Sequence, residues 1–110
     1  MKKTIKQLKA KSVRKLLSNP KRWCKKVLIS DDEMSCCLMG AVDTVYSNSS
    51  ERIKAVHKLF DALNQRRKKQ KKAPLKDSSF ILKEMNIVGW NDASRTTFQA
   101  VQEVVKQAKI

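Results

Sequence analysis

The chain of 110 residues carries 25 Lys and Arg against 10 Asp and Glu, a formal net charge of +15, and 41% of its residues are hydrophobic. This length suits one domain over residues 1–110, and the apolar fraction is too high for a wholly disordered basic tail. No apolar run approaches the ~20 residues that a membrane span needs, and no signal-peptide pattern follows the basic start. We therefore expect a cytoplasmic protein.

Two segments supply all of the excess positive charge. Residues 1–27 hold eleven Lys or Arg and no acid, and residues 66–76 hold seven more, again without an acid. The rest of the chain has nearly balanced charges, as an ordinary globular surface does. Because concentrated like charge opposes folding by self-repulsion, a polyanionic partner that offsets this cost is indicated.

The spacing of apolar residues predicts an amphipathic first helix with one inward face, formed by Ile5, Leu8, Val13, Leu16 and Leu17. Asn19-Pro20 is expected to end this helix, because proline has no amide to donate. The run Val27-Leu28-Ile29 is then expected to lie against the core.

Two capping patterns predict the next helices. Ser30-Asp31-Asp32-Glu33 is typical of a capping box and predicts a second helix with an inward face of Met34, Cys37, Leu38, Ala41, Val42 and Val45. Gly40 is expected to allow a close packing contact in this helix. Asn48 is the predicted N-cap of a third helix that buries Ile53, Val56, Leu59, Phe60 and Leu63.

The third helix is predicted to end in a polybasic loop, residues 66–76, because like charges at helical spacing repel. Asp77-Ser78-Ser79 can start a short helix, although a strand is not excluded there, and residues 87–90 are a predicted turn. Asn91 or Asp92 is the predicted cap of a last helix that buries Thr97, Phe98, Val101, Val104, Val105 and Ala108. Alternating strand patterns are nearly absent, so the sequence predicts an all-α, compact single domain of four to five helices.

Three short motifs carry a resemblance to a known family: Arg22-Trp23-Cys24, then Cys36-Cys37-Leu38-Met39-Gly40-Ala41, then Trp90-Asn91-Asp92 with Arg95-Thr96. Over roughly residues 5–108 the chain resembles an uncharacterised family of small helical phage and bacterial proteins with W(C/T), C-x-x-G-A and W-N-D…R-T signatures. The resemblance implies a helical fold and a phage or prophage origin, and it implies no activity. Residues 66–76 and the cationic N-terminus depart from the family pattern, so a function that they carry would be particular to this chain.

Local structural roles account for the motif residues without a ligand. Trp90 is expected to pack beside a helix cap that Asn91 or Asp92 provides, and Arg95 to pair with Asp92 or with an acid on another helix. We therefore interpret as structural the residues Trp23, Cys37, Gly40, Ala41, Trp90, Asn91, Asp92, Arg95 and Thr96. A polar ligand site around Asn91 and Arg95 is the less favoured alternative.

The sequence predicts no metal, no cofactor and no catalytic site. Cys24, Cys36 and Cys37 lack C-x-x-C spacing, so buried thiols are favoured over a zinc site completed by His57. No nucleophile has a partner base at a suggestive spacing, and no phosphate-binding glycine loop is present. We expect that the protein is not an enzyme.

Nucleic acid is the partner that the charge pattern favours, with DNA and RNA both open. The expected contacts are to phosphates, without sequence preference, because the helix after Tyr46-Ser47-Asn48 mixes bases with acids. The predicted contact residues are Lys2, Lys3, Lys6, Lys9, Lys11, Arg14, Lys15, Lys21, Arg22, Lys25, Lys26, Arg66, Arg67, Lys68, Lys69, Lys71, Lys72 and Lys76.

Other classes of function remain open. A ribosome-associated protein would show the same charge statistics. A protein-interaction module, such as a phage-encoded modulator or inhibitor, would use the cationic surface to dock on an acidic host protein. Binding to a membrane surface ranks lower, because the first predicted helix carries no Trp or Phe to anchor at an interface.

Overall fold

A computed structural model describes residues 3–76 and 79–110. In this part of the chain the helices are α1 (Val13–Leu16), α2 (Leu38–Val45), α3 (Ser49–Lys69), α4 (Phe80–Asp92) and α5 (Phe98–Ala108), with a single 3-10 turn at Pro20–Arg22. The described residues form no strand, and their β pairing is limited to isolated bridges of Cys36 with Trp23 and with Ile29. The prediction of a single all-α domain with four to five helices is confirmed.

The helix α3 is the central element, and it packs against α4 and α5. Asn48 caps it as predicted, since its Oδ1 accepts hydrogen bonds from the amides of Ser50 (2.9 Å) and Glu51 (3.4 Å). The inward face is formed by Ala55, Val56, Leu59, Phe60, Ala62 and Leu63. The prediction that Ile53 is buried is wrong: 42% of it is exposed, because it lies beyond the edge of the arc that the neighbouring helices cover.

The N-terminal segment keeps the predicted core residues but not the predicted helix. Ile5, Val13, Leu16 and Leu17 are buried, yet only Val13–Leu16 is helical. Lys9 has a left-handed backbone (φ 47°), which a continuous right-handed helix cannot contain. The amides of Ile5 and Val13 instead donate to the distant carbonyls of Glu33 (2.9 Å) and Ile110 (2.7 Å), so tertiary hydrogen bonds replace helical ones.

The predicted capping box at Ser30 is wrong. The Ser30 hydroxyl donates to Asp32 Oδ1 (2.7 Å), and Glu33 has a left-handed backbone, so these residues form a turn. The helix α2 begins only at Leu38, where the Cys37 Sγ accepts the hydrogen bond of the Gly40 amide at 3.4 Å.

The close contact predicted for Gly40 is present, with the chain at Leu28 as its partner. A Cβ atom at Gly40 would lie 2.0 Å from the Leu28 carbonyl oxygen, so no larger residue fits without a shift of backbone. The adjacent expectation is wrong, because the side chains of Val27 and Leu28 are 48% and 52% exposed and only Ile29 packs against the core. The backbone of this segment, rather than its side chains, makes the contact.

The polybasic segment is divided between helix and loop. Contrary to the prediction, residues 66–69 are the last turn of α3, and only residues 70–76 lie outside the helix. A Schellman closure ends the helix: the amide of Lys72 donates to the Arg67 carbonyl (2.9 Å), and the amide of Lys71 donates to the Lys68 carbonyl (3.0 Å). Cations in a last turn also interact favourably with the helix dipole, which offsets their mutual repulsion.

The helix α4 is longer than predicted and includes the residues that the sequence suggested as a turn. Ser79 caps it by accepting the Leu82 amide at 3.2 Å, whereas Asp77 and Ser78 lie outside the described residues. Trp90, Asn91 and Asp92 are the last residues of α4 and not the start of α5. The cap of α5 is Thr97, which is exposed and accepts the Ala100 amide at 3.1 Å.

Candidate anion-binding site

Asn91 lies at the centre of a buried hydrogen-bond network. Its side chain is fully buried, and its Oδ1 accepts hydrogen bonds from the Trp23 indole Nε1 (2.7 Å) and the Leu38 amide (3.0 Å). Its Nδ2 donates to the Cys24 carbonyl (3.2 Å) and to Asp92 Oδ1 (3.0 Å). The network joins the three motif segments through Asn91, which does not act as the predicted helix cap.

The residues after Asn91 close the end of α4. Asp92 Oδ1 accepts the Lys26 amide (2.8 Å), and the Thr96 hydroxyl donates to the Trp90 carbonyl (2.6 Å). The predicted ion pair of Arg95 does not form, with Asp92 or with another acid of the described chain. Arg95 is exposed, so the last charged residue of the motif has no structural partner in this part of the chain.

Arg95 borders a pocket of about 520 Å³ that lies between the end of α3, the second half of α4 and the turn between α4 and α5. Four of the residues that line this pocket are cationic, and no Asp or Glu lines it. The cationic residues are Arg66, Arg67, Lys72 and Arg95, and the large apolar ones are Leu63, Leu75, Met85 and Trp90. We call this cavity the cationic pocket.

Contacts within the chain hold two of the four cations in place. The Arg67 Nε donates to the Ala73 carbonyl at 2.6 Å, and Arg66 forms an ion pair with Glu103 of α5 at 2.9 Å. The residues after α3 are themselves fixed, because Asn64 Oδ1 accepts the Leu75 amide at 2.8 Å. Arg66 and Arg67 are therefore held in place before any ligand arrives.

The structure brings some of the predicted contact residues together and separates others. The Lys25 Nζ donates at 2.6 Å to the carbonyl of Ala93, a residue that lines the cationic pocket. Arg14 lines a second concavity together with Glu103, the ion-pair partner of Arg66.

Lys21 and Arg22 lie apart from the cationic pocket, in a concavity that Asp32 also lines. Arg22 is bound to the backbone there, since its Nη1 donates to the carbonyl oxygens of Lys3 and Met34. The remaining described lysines that are predicted to contact nucleic acid are exposed, and Lys2 lies outside the described residues. They are Lys3, Lys6, Lys9, Lys11, Lys15, Lys26, Lys68, Lys69, Lys71 and Lys76.

The cysteines are not arranged as ligands or nucleophiles. Cys36 and Cys37 are buried and Cys24 is half-buried. Burial raises the pKa of Cys36 to about 12 and also raises the pKa of Cys37, so both remain thiols at neutral pH. Over residues 3–76 and 79–110, no cluster of three or more His, Cys, Asp or Glu side chains is placed to hold a metal ion.

His57 lies on the exposed surface of α3. Its Nδ1 is 3.0 Å from Lys83 Nζ, and its ring packs edge-on against Phe80 with the ring centroids 5.7 Å apart. These contacts give the imidazole a local surface role between α3 and α4.

The fold and the pocket define a small all-α domain with a cationic cavity beside a buried asparagine network. The chain belongs to the family of unknown function DUF6197, whose family model matches residues 10–109. This finding confirms the resemblance to an uncharacterised family. No curated protein and no solved structure matches the chain. None of the described helices has the length and apolar character needed to cross a membrane.

Sequence reasoning identified the charge at residues 66–72 but missed the pocket. The pocket residues that the sequence does not reveal are Met85, Gly89 and Trp90, because residues 87–90 have the pattern of a turn and belong to α4 in the structure. An available signal was the i, i+4, i+8 spacing of Ile81, Met85 and Gly89, which lies on one exposed side of α4 and leads into the pocket.

Proposed function

We propose that this protein binds nucleic acid, DNA or RNA, without sequence preference, through contacts of its basic segments with phosphates. In the same proposal it is a phage-type accessory protein of the host cytoplasm that performs no chemical step. One observation carries the proposal: among the described members of the predicted contact set, Arg66 alone forms an ion pair with an acid of residues 3–76 and 79–110. The other described Lys and Arg residues of this set form no ion pair with a described acid, so their charge is available for a partner.

Exposure supports the same proposal. Of the described contact residues, only Arg22, Lys25, Arg66 and Arg67 are half-buried, and the others are exposed. A lysine ammonium that is solvated and unpaired loses little when it approaches a phosphate, and each neutralised phosphate releases counterions. The surface therefore favours many weak, salt-sensitive contacts over a few specific ones.

The structure favours phosphate contacts over reading of base edges. The helix that follows the Tyr46-Ser47-Asn48 turn is α3, and Arg52 in its first turns is bound to Asp43 and Glu84, each at 2.6 Å. An arginine held by two carboxylates is not available for a bidentate contact with guanine. This supports sequence-tolerant binding.

The test is a binding titration of mixed-sequence DNA and RNA at rising salt. If the proposal is correct, the logarithm of the affinity falls linearly with the logarithm of salt concentration, by about 0.9 per phosphate contact on duplex DNA. Replacing Lys68, Lys69, Lys71 and Lys72 with Glu should weaken binding strongly while the helical circular dichroism stays the same.

A matched control changes the net charge equally at four exposed lysines outside the predicted set: Lys54, Lys58, Lys106 and Lys109. Lys109, like Lys71, has a left-handed backbone, so the two variants also disturb the chain similarly. Equal losses in both variants would show that only net charge matters. Absence of binding to both nucleic acids at low salt would overturn the proposal.

The second candidate is a protein-interaction module, and the outer side of α4 favours it. Ile81 and Met85 are 67% and 61% exposed, four residues apart on one helix. Exposed apolar residues next to a cationic surface suit an acidic host protein with an apolar anchor. Ile81 does not line the cationic pocket. Replacing it with Ser should weaken such docking and leave a ribosomal or other nucleic-acid contact unchanged, and nuclease treatment of the complex separates the same alternatives.

A further inference from the structure

We propose that the cationic pocket is a site for a nucleoside phosphomonoester. One ligand with this chemistry is the phosphorylated end of a nucleic-acid strand, and for this ligand the inference rests on the proposed function. The other ligand is a free mononucleotide. The proposed function alone gives no preference between the end and the interior of a strand. The inference adds a preference for a phosphorylated strand end.

The charge of the pocket selects a phosphomonoester over an internal phosphate. A phosphomonoester carries about 1.5 to 2 negative charges at neutral pH, whereas an internal phosphodiester carries one. Arg66 shares its charge with Glu103, but Arg67, Lys72 and Arg95 have no carboxylate partner among the described residues. This surplus matches a terminal phosphate better than a linkage within a strand.

The residue types also match phosphate. Three of the four cations are arginines, whose planar guanidinium groups bind phosphate oxygens in pairs of parallel hydrogen bonds. Arg67 is anchored by its Nε to the Ala73 carbonyl, and no contact within the described chain uses its two terminal nitrogens. That geometry orders the guanidinium in advance and keeps its outer edge available.

The rest of the cavity matches the nucleoside. Its volume of about 520 Å³ lies in the range of roughly 300–1,000 Å³ that small-molecule sites occupy. Trp90 and Met85 line it together with Leu63 and Leu75, so a base that enters is covered by apolar and aromatic side chains. Aromatic side chains hold bases by stacking without sequence preference.

Gly89 provides the means to test the pocket without damage to the core. It lines the cavity, its backbone is not left-handed, and a Cβ atom built on it meets no atom within 4 Å. A Leu at this position therefore fills space in the cavity while α4 keeps its helical geometry. An Ala at the same position changes helix propensity in the same direction but adds only one carbon atom.

The experiment measures binding of one mixed-sequence single strand that ends in a 5′-phosphate, a 3′-phosphate or hydroxyl groups only. The native protein should bind one of the phosphorylated strands about tenfold more tightly than the hydroxyl strand, as expected for hydrogen bonds to a charged group. Gly89→Leu should remove this preference, and Gly89→Ala should keep it. Circular dichroism and melting curves of both variants verify the fold.

Arg95→Gln tests the charge independently of the volume. Arg95 is exposed and has no partner in the described chain, so its loss leaves the fold intact and should remove most of the end preference. Lys54→Gln is the matched control, because Lys54 is exposed on α3 and outside the pocket. It should lower the affinity for all three strands slightly and equally.

The outcomes separate the inference from the proposed function. Equal, salt-sensitive binding of all three strands by the native protein overturns the inference and leaves nucleic-acid binding in place. Binding of a nucleoside monophosphate alone, removed by Gly89→Leu, supports the pocket and overturns the proposed function. If neither the strands nor the mononucleotide bind, both are wrong.

Discussion

Asn91 and Arg95 are four residues apart in one motif, and their surroundings are opposite. Asn91 is fully buried, and each of its side-chain polar atoms has partners from other segments of the chain. Arg95 is exposed at the edge of a cavity with three more cations. The comparison teaches that a motif can combine a residue that stabilises the fold with a residue whose charge is available to a ligand.

The largest expected effect is a loss of stability when the buried Asn91 is replaced. Asn91→Leu leaves the Trp23 indole and the Leu38 amide without an acceptor, and each unsatisfied buried donor costs about 1–3 kcal/mol. We expect a loss of about 3 kcal/mol or more in the free energy of unfolding, measured by urea denaturation. A loss below about 1 kcal/mol would show that water or another acceptor replaces the amide.

The next largest effects come from replacing each of the two glycines with Ala, which should change the stability in opposite directions. Gly40→Ala places a methyl group against the Leu28 carbonyl, and overpacking of this kind costs about 1–3 kcal/mol. Gly89→Ala adds a methyl group in open space on a helix and should stabilise by about 0.5–1 kcal/mol. Thermal melts of the two variants check both signs, and shifts in the same direction would contradict the structure.

A smaller effect comes from Cys36 at alkaline pH. Its thiol ionises near 9.0 when unfolded, and burial raises the folded pKa to about 12. Below pH 9 the thiol is protonated in both states, so the stability is intact. Between pH 9 and 12 the unfolded state loses its proton first, and the free energy of unfolding therefore falls as the pH rises.

The measurement compares the native protein with Cys36→Ala by urea denaturation at pH 8 and pH 10. The two proteins share every other titratable group, so the difference between them isolates the Cys36 thiol. The fall should be smaller in the variant by about 1 kcal/mol. An equal fall in both proteins would place Cys36 in contact with solvent.

The smallest expected change in stability is at the exposed residue of the motif, Arg95. Arg95→Gln removes a side chain without a partner in the described chain, and surface substitutions of this kind change stability by less than about 0.5 kcal/mol. The measurement is the same urea denaturation used for Asn91→Leu. A loss of more than 1 kcal/mol would mean that Arg95 pairs with an acid in solution and is not available to a ligand.

The features that the sequence predicts well are those decided by neighbours along the chain. The Asn48 cap is correct because its oxygen and the amides that it accepts are two and three residues apart. The Ser30 capping box fails although its pattern is equally local, because the Ser30 hydroxyl bonds to Asp32 instead. Local patterns state which hydrogen bonds are available and not which of two competing ones forms.

The candidate site shows the same limit over longer distances. The charge at Arg66, Arg67 and Lys72 is visible in the sequence. Its convergence with Arg95 and Trp90 depends on how α3 and α4 pack, and on α4 continuing past Gly89 to Asp92. A glycine marks a helix end only where the backbone turns left-handed, and neither glycine of this chain does so.

The left-handed backbone positions have a consequence for engineering this protein. All five that lie in the described chain hold charged residues: Lys9, Lys26, Glu33, Lys71 and Lys109. This conformation costs an ordinary residue about 1–2 kcal/mol that glycine avoids. Selection for heat resistance alone should therefore recover glycine at the four lysines, and each such gain in robustness would remove a positive charge from the surface.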